Sequence, residues 1–248
     1  LKVIAVERLA GAGLASGLCL AGAGLMAYAV RGRSSRIFGP SVWLGDERRK
    51  SVAITFDDGP SESTPEFLDV LREYGAPATF FQCGANLSRL PDISRAVYAA
   101  GHEIGSHSYS HPLCCFRSEQ FIEGDFARAQ DAFGETLGVK PSLLRAPFGA
   151  RWFGYRTMQE RLGLLGVMWT VIGRDWKLPA AAICDRVLGA VRNGAIICLH
   201  DGRTLSEKPD VRDSLEALKR ILPALIERGY RFETVKQLVC PEKTRLSR

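Results

Sequence analysis

Patterned cysteine is the first thing this sequence lacks. Its seven cysteines (Cys19, Cys83, Cys114, Cys115, Cys184, Cys198 and Cys240) are odd in number, contain no C-x-x-C pair and follow no regular spacing. That excludes a disulfide framework and a thiolate metal knot. Cys114 and Cys115 are adjacent, which hinders their pairing with each other, and so many free thiols weigh against a strongly oxidising compartment. The sequence also lacks internal repeats and low-complexity tracts beyond an Ala/Gly-rich N-terminus, which excludes solenoid architectures.

A basic stripe is missing too. The formal net charge is +6, but residues 1 to 36 hold Lys2, Arg8, Arg31, Arg33 and Arg36 against Glu7, a local +4 that leaves only +2 for the remainder. Nucleic-acid binding needs a basic surface on the folded domain, so no nucleic-acid partner is expected. From Leu9 to Val30 there is no charged residue, a stretch long enough to span a hydrocarbon core as a helix. Ala27-Tyr28-Ala29 has the small-x-small form of an export cleavage site, whereas Arg31, Arg33 and Arg36 favour retention of that flank on the cytoplasmic side. A buried Ala/Gly-rich core helix is the third reading. Residues 1–36 are therefore expected to be a membrane anchor or signal segment, placing the protein at the cell envelope with its side of the membrane open, and residues 37–50 a linker.

What is present is one domain's worth of alternating pattern. With 46% hydrophobic and 24% charged residues the chain can bury one sizeable core. Strand-like runs at Val52 to Phe56, Ala78 to Cys83, His102 to His107, Ser142 to Ala146, Gly166 to Val171, Ala195 to Leu199 and Tyr230 to Phe232 alternate with helical stripes. That alternation predicts an α/β domain over residues 51–240 with a largely parallel sheet, followed by a tail at 241–248. Ser63 with Glu66 forms a capping-box pattern ahead of Phe67, Leu71 and Tyr74. Ile122, Phe126, Ala129, Phe133 and Leu137 recur at helical spacing until Gly138, and Leu215, Leu218, Leu222 and Leu225 until Gly229.

Ligands collect at the carboxyl ends of parallel strands, and these ends are unusually polar. They carry Asp57 and Asp58, then His107 and His111, Arg145, Asp175 with Trp176, and finally His200 with Asp201. Three of the four histidines in the protein belong to this set. His107 and His111 stand four residues apart, which on a helical turn points both to one side. With one carboxylate they would make a divalent metal site with open positions, the arrangement of catalytic zinc and some other divalent metals. Two adjacent aspartates could divide the labour between holding a metal and taking a proton from its water. A guanidinium at Arg145 could hold a catalytic carboxylate by paired hydrogen bonds. Asp175 could partner His200 and favour the protonated imidazole that a general acid requires. Read singly, each has a bland alternative: a solvated turn, polar loop histidines or a surface arginine. His102 has no partner pattern and reads as structural.

Together these stretches resemble the NodB-homology polysaccharide deacetylases, carbohydrate esterase family 4. Over Ser51 to Leu238 five motifs occur in the family's order: Thr55-Phe56-Asp57-Asp58-Gly59-Pro60, His107-Ser108-Tyr109-Ser110-His111, Arg145-Ala146-Pro147-Phe148-Gly149, Asp175-Trp176 and Leu199-His200-Asp201. The resemblance implies a distorted (β/α) barrel of about seven parallel strands, here preceded by the N-terminal apolar helix. It implies that Asp57 is the general base, His200 the general acid, and that Asp58, His107 and His111 bind a divalent metal, zinc foremost and cobalt, nickel or manganese as alternatives. It further implies that Arg145 orients Asp57, that Asp175 tunes His200, that Trp176 and Leu199 shape the acetyl pocket, and that the backbone N–H of Phe148 serves the oxyanion. Many relatives carry a further aspartate three residues before the Asp175 position, where this chain has Ile172. The expected activity is metal-dependent removal of N-acetyl groups from an N-acetylglucosamine-containing glycan. Deformylation or deacetylation of a lipid-linked sugar, O-acetyl esterase activity, and a non-catalytic glycan-binding module are the alternatives. The sequence carries no recognisable appended carbohydrate-binding domain and leaves the oligomeric state open.

Overall fold

The computed structural model describes residues 19–240. Its elements in chain order are β1 (Ser41–Val42), β2 (Ser51–Asp57), α1 (Thr64–Glu73), β3 (Ala78–Gln82), α2 (Gly84–Arg89), α3 (Pro91–Ala99), β4 (Glu103–Ser106) and α4 (Glu119–Leu137). After these come β5 (Leu143–Leu144), α5 (Tyr155–Leu162), β6 (Leu165–Val167), β7 (Val171–Ile172), α6 (Ala180–Ala190), β8 (Ile196–His200), α7 (Arg212–Glu227), β9 (Arg231–Phe232) and α8 (Val235–Val239). A further helical stretch runs over residues 19–31.

All strand pairs are parallel, in the order β1-β6-β5-β4-β3-β2-β8-β7, with β9 on β2. β6, next to one end of that order, is joined by the chain directly to β7 at the other end. Only residues 168–170 separate β6 from β7, and so short a connection spans at most roughly 14 Å. The sheet must therefore curl until its ends approach, as an incomplete barrel. An antiparallel bridge between Leu44 and Ala195 and the hydroxyl bond from Thr170 to the Trp43 carbonyl, 2.7 Å, stitch that closure.

Strand periodicity decides which residues enter the barrel. On β2, Val52, Ile54 and Phe56 pack into the main core beneath the helices with Phe67, Leu71, Leu218 and Leu222. Ala53 belongs to an inner cluster with Phe81, Ile196, Val235 and Leu238, so α8 plugs one end of the barrel. Thr55 and Asp57 follow Ala53 on the inner face, and on β8 the same alternation puts Ile196, Cys198 and His200 inward and Ile197 and Leu199 outward. The inner faces thus rise from an apolar plug to a polar mouth.

Several boundaries differ from expectation for physical reasons. The predicted strand Gly166 to Val171 is two strands, because the carbonyls of Val167 and Met168 receive Arg145 side-chain donors, 3.2 and 3.3 Å, where the chain crosses between the barrel's ends. The Ser63 capping box does not form: Ser63 is helical and makes no side-chain cap. The Thr64 hydroxyl instead accepts from the Ser61 amide, 2.8 Å, and donates to Asp201. The stripes of α4 and α7 are buried as expected, with Ser118 capping α4 and Gly138 closing it at φ 71°. All described cysteines are free.

The expected linker 37–50 carries β1, and Phe38 lies in a second core cluster with Ala29, Ile122, Phe126, Leu144 and Met158. Arg151, itself buried, receives the segment before it. Its amide donates to the Val30 carbonyl at 3.1 Å, and its guanidinium reaches the carbonyls of Ser35 at 2.6 Å and Gly32 at 2.5 Å. Ala29 is buried as well, so the candidate processing site Ala27-Tyr28-Ala29 ends inside the packed domain. Of the uncharged stretch Leu9 to Val30, residues 9–18 lie outside the described residues, as do the remainder of 1–18 and the tail 241–248. Among the described residues no helix is long and apolar enough to cross a membrane.

Because Phe38 is 7% exposed and meets Phe153 edge-on at 4.8 Å, Phe38→Ala is expected to destabilise the folded chain by about 3 kcal/mol. Urea unfolding measures it. A midpoint equal to that of the parent would mean that residues 28–43 do not belong to the cooperative domain.

Candidate active site

The expected residues other than Leu199 converge at the open end of the barrel. Asp57 and His200 are register partners across β2 and β8, so two neighbouring strands deliver them side by side. One carboxylate oxygen of Asp57 and one ring nitrogen of His200 lie within 4.8 Å of each other. A cavity of about 610 Å³ sits over them, lined by Asp57, Asp58, His107, His111, Trp176 and His200 among others, within the range of small-ligand sites.

Asp58 follows its strand at φ 73°, in the left-handed region. This turn swings its carboxylate away from that of Asp57. Asp58 Oδ1 lies 3.0 Å from His111 Nε2 and 3.3 Å from His107 Nε2, all three side chains being buried. Asp58 Oδ2 accepts from the Thr204 amide at 2.8 Å, and the Asp58 carbonyl accepts from Asn86 at 2.7 Å. Burial opposes its ionisation; protonated imidazoles donating to it hold the Asp58 carboxyl well below its usual range, and with neutral rings a cation would have to take their place. The His107 Nδ1 faces the Arg145 carbonyl at 2.9 Å, which assigns the proton to Nδ1 and turns the Nε2 lone pair toward Asp58.

His107 and His111 do not share a helical turn, contrary to expectation: both lie in a loop after β4. Positive φ at Ser108 (66°) and His111 (52°) folds the loop back. Ser108 Oγ accepts from the His111 amide at 3.0 Å, and Asp125 on α4 accepts from the amide of Tyr109, 2.9 Å, and the hydroxyl of Ser110, 2.6 Å. The imidazoles meet because the loop is pinned at its tip.

A cation fits these residues. Asp58 Oδ1 is buried and receives no hydrogen bond, although two ring nitrogens face it. An ionised oxygen without a donor is costly in a protein interior, and the carboxylate with two imidazoles is the donor set of a catalytic divalent metal. A second trio, Asp57, Cys198 and His200, also lies close together, but burial and the Asp57 charge push the Cys198 thiol well above its usual range. It stays protonated and donates to Asp57 Oδ2 at 3.4 Å.

Arg145 is buried completely and spends its donors on one side of the site. It gives Asp57 Oδ1 a hydrogen bond of 2.6 Å and the Thr55 hydroxyl one of 2.7 Å, while its guanidinium lies 4.2 Å from the Phe81 ring centre. On the opposite side, His200 Nδ1 donates to Asp175 Oδ1 at 2.8 Å and the His200 amide to Asp175 Oδ2 at 2.8 Å, with Ser214 also donating to Asp175. Burial pulls the His200 imidazole down, but the charge and hydrogen bond of Asp175, with the charges of Asp58 and Asp57, outweigh it and raise it to about 9. Asp175 is held below its usual value although burial opposes this, because His200 faces it.

Trp176 is half exposed and meets His200 edge-on at 5.2 Å. Phe148, at φ 57° in the left-handed region, meets His111 at 4.7 Å and lines the cavity. Leu199 is not brought to the site. It lies on the face of β8 opposite His200 and packs into the helix-side core. His102 is remote from this group and accepts from the Ala78 amide through Nδ1 at 3.2 Å; burial lowers it to about 4. Sequence reasoning missed Thr204, Cys198, Asn86, and the cavity-lining Arg31, Trp169 and Arg203. Only Cys198 carried a usable signal, the strand period two residues before His200.

A family model described as polysaccharide deacetylase matches residues 45–167. The chain is 38% identical over 195 residues to a chitooligosaccharide deacetylase of Sinorhizobium fredii, covering 75% of this chain and 91% of that protein. It is 36% identical over 202 residues to a peptidoglycan-N-acetylglucosamine deacetylase of Bacillus cereus, covering 80% and 92%. Its fold superposes on a solved peptidoglycan N-acetylglucosamine deacetylase with a TM-score of 0.75 at 31% identity, covering 79% of this chain and 91% of that one.

Asp58→Asn keeps the size of the side chain and removes its charge. It is expected to weaken Zn²⁺ or Co²⁺ binding by roughly 100-fold or more in calorimetric titration. Unchanged affinity would place the cation elsewhere.

Proposed function

Because the chain belongs to the polysaccharide deacetylase family, we propose that it removes N-acetyl groups from a glycan containing N-acetylglucosamine, using a divalent cation held by Asp58, His107 and His111. Relatives named for chitooligosaccharide and for peptidoglycan support the substrate class. One observation carries the reading: a carboxylate and an imidazole, each fixed by its own buried partner, face one cavity beside an unsatisfied Asp–His–His trio.

When bound, the cation acidifies water and polarises the amide carbonyl as a Lewis acid. Zinc suits two neutral imidazoles and one carboxylate, and cobalt, nickel and manganese are the alternatives to load. The chain's own residues handle the protons. Asp57, held by Arg145 through Oδ1, takes the proton of the attacking water through Oδ2. His200 enters the reaction as imidazolium and delivers its proton from Nε2 to the departing amine, since Nδ1 is committed to Asp175. The backbone N–H of Phe148 assists the oxyanion, and Trp176 forms one wall for the acetyl group. Acetate and a free amino sugar result.

In an acetate-release assay on N-acetylglucosamine oligomers and peptidoglycan, Asp57→Asn is expected to lower turnover by about 10³-fold or more while sparing metal binding. Activity close to that of the parent would remove Asp57 from the role of base. The same assay on O-acetylated glycans and on formylated or acetylated lipid-linked sugars separates the alternative substrates. Glycan binding with no turnover on any of them would favour the non-catalytic reading.

The acid can be tested by its pH dependence. The negative charge of Asp175 favours the imidazolium of His200, so Asp175→Asn lowers that pKa. Activity that requires the protonated acid is lost as pH rises through its pKa, so the alkaline limb of kcat/KM should move to lower pH by roughly one unit or more. In the parent that limb lies below the value of about 9, because a dication beside Asp58 offsets part of the negative charge that raises His200. A limb that stays in place in the variant would contradict His200 as the acid.

A further inference from the structure

Two arginines at the cavity have no part in the chemistry above. Three guanidinium groups line it, those of Arg31, Arg174 and Arg203. Arg203 is committed, donating to the carbonyls of Asp175 at 2.8 Å and Gly202 at 2.9 Å. Arg31 gives one hydrogen bond, 3.1 Å, to the Phe148 carbonyl, which leaves most of its five N–H donors free. Arg174 is exposed; its carbonyl accepts from the amides of Lys177 and Leu178, both 3.0 Å, but its guanidinium has no hydrogen-bond or ion-pair partner among the described residues. The two aspartates on the cavity wall do not offset them, since Asp57 is paired with Arg145 and Asp58 belongs to the trio that would hold a dication.

Both arginines are held in position. Arg31 stands outside the family-matched residues 45–167, in the segment that Arg151 clamps through the carbonyls of Val30, Gly32 and Ser35. Arg174 adopts φ 56° immediately before Asp175, a conformation unfavourable for a residue with a Cβ. Its place is fixed because the neighbouring carboxylate must reach His200. A cavity with free guanidinium donors and no free carboxylate attracts anions.

We infer that Arg31 and Arg174 form a subsite for an anionic group, a carboxylate or a phosphate, carried by the glycan beside its reacting acetamido sugar. The inference rests on the deacetylase reading. The segment before the matched residues would then set substrate preference, favouring glycans with an acidic neighbour over neutral oligomers.

The test uses the full chain loaded with Zn²⁺. Acetate release is compared on a neutral N-acetylglucosamine tetramer, on a peptidoglycan-derived oligosaccharide with its carboxylate free or methyl-esterified, and on N-acetylglucosamine 1-phosphate. The free acid or the phosphate is expected to exceed its neutral counterpart in kcat/KM; which one does so identifies the source of the anion. Arg174→Gln and Arg31→Gln should each cut that preference about tenfold, chiefly through KM, with Arg174→Lys restoring part of it. Added salt should erode the preference in the parent. A preference unaltered in both variants would overturn the inference. So would equal losses on charged and neutral glycans through kcat, which would assign Arg31 to holding Phe148. Calorimetry of the acid and ester pair on the Asp57→Asn chain reads the subsite without turnover. Retained discrimination there, with no acetate release by the parent chain from any glycan, would sink the deacetylase reading alone, and equal binding of acid and ester would sink the subsite.

Discussion

The fully buried guanidinium of Arg145 joins parts of the molecule that are far apart in sequence. Its side chain binds Asp57 and Thr55 on the inner face of β2 and the carbonyls of Val167 and Met168 where the chain crosses between the barrel's ends. Its own carbonyl orients His107. A lone buried cation is prohibitively costly; here each guanidinium nitrogen has an acceptor and the Phe81 ring covers the guanidinium at 4.2 Å. The same pair that satisfies the charge also ties the proposed base, one ligand of the trio and the closure of the barrel into one unit. Removing either member of such a pair typically costs about 3–5 kcal/mol, because the other is left buried alone. This explains why an arginine that reads as a surface residue in isolation sits at the centre.

Much of this was legible because parallel strands impose a simple rule. Residues at a strand's carboxyl end face the site if they share the parity of the inner face, and Asp57 and His200 obey it; Asp175 lies three residues beyond β7 and is brought in by the left-handed turn at Arg174. Leu199 shows the rule's other edge: one residue from His200, it must point into the helix-side core. The family motif includes Leu199, but its parity was already readable from Ile197 and Cys198. The positive-φ residues were not legible. Asp58, Ser108, His111, Phe148 and Arg174 all lie in the left-handed region without being glycine, and no local propensity announces that. The helical spacing of His107 and His111 was therefore a false guide to a correct pairing. The third limit was the segment 28–43. Its composition argued for an anchor and a linker, whereas long-range contacts from Arg151, Ile122 and Tyr155 make it a wall of the domain.

Charge is distributed around the site in a way that separates two kinds of carboxylate. Asp57 and Asp175 each have a dedicated partner, Arg145 and His200. Asp201 has none of opposite charge. It is fully buried, bonds only to Thr64 through Oδ2 and leaves Oδ1 without a partner. Burial raises its carboxyl to about 7, aided by the nearby charges of Asp58 and Asp57 although Thr64 opposes the shift. Its backbone carbonyl accepts from Ser61, and its carboxylate lies so close to Gly59 that a Cβ there would overlap it. The glycine of Asp58-Gly59-Pro60 is thus required by packing against the strand that carries His200. The first and last motifs touch, and their spacing across β2 and β8 depends on that contact.

From these constraints it follows that the proposed acid and the proposed base could not exchange roles. Asp57 is anchored through Oδ1 by a cation that never deprotonates at accessible pH, and its remaining oxygen faces only the weak Cys198 donor, so it is open to receive a proton. His200 is anchored through Nδ1 by an anion held ionised, so its proton is retained near neutrality and leaves from the far nitrogen. Reversing the roles would need Arg145 and Asp175 to trade places, on strands that the barrel keeps apart. In the proposed reaction the direction of proton flow, from water to Asp57 and from His200 to the amine, follows from which buried partner each strand end meets.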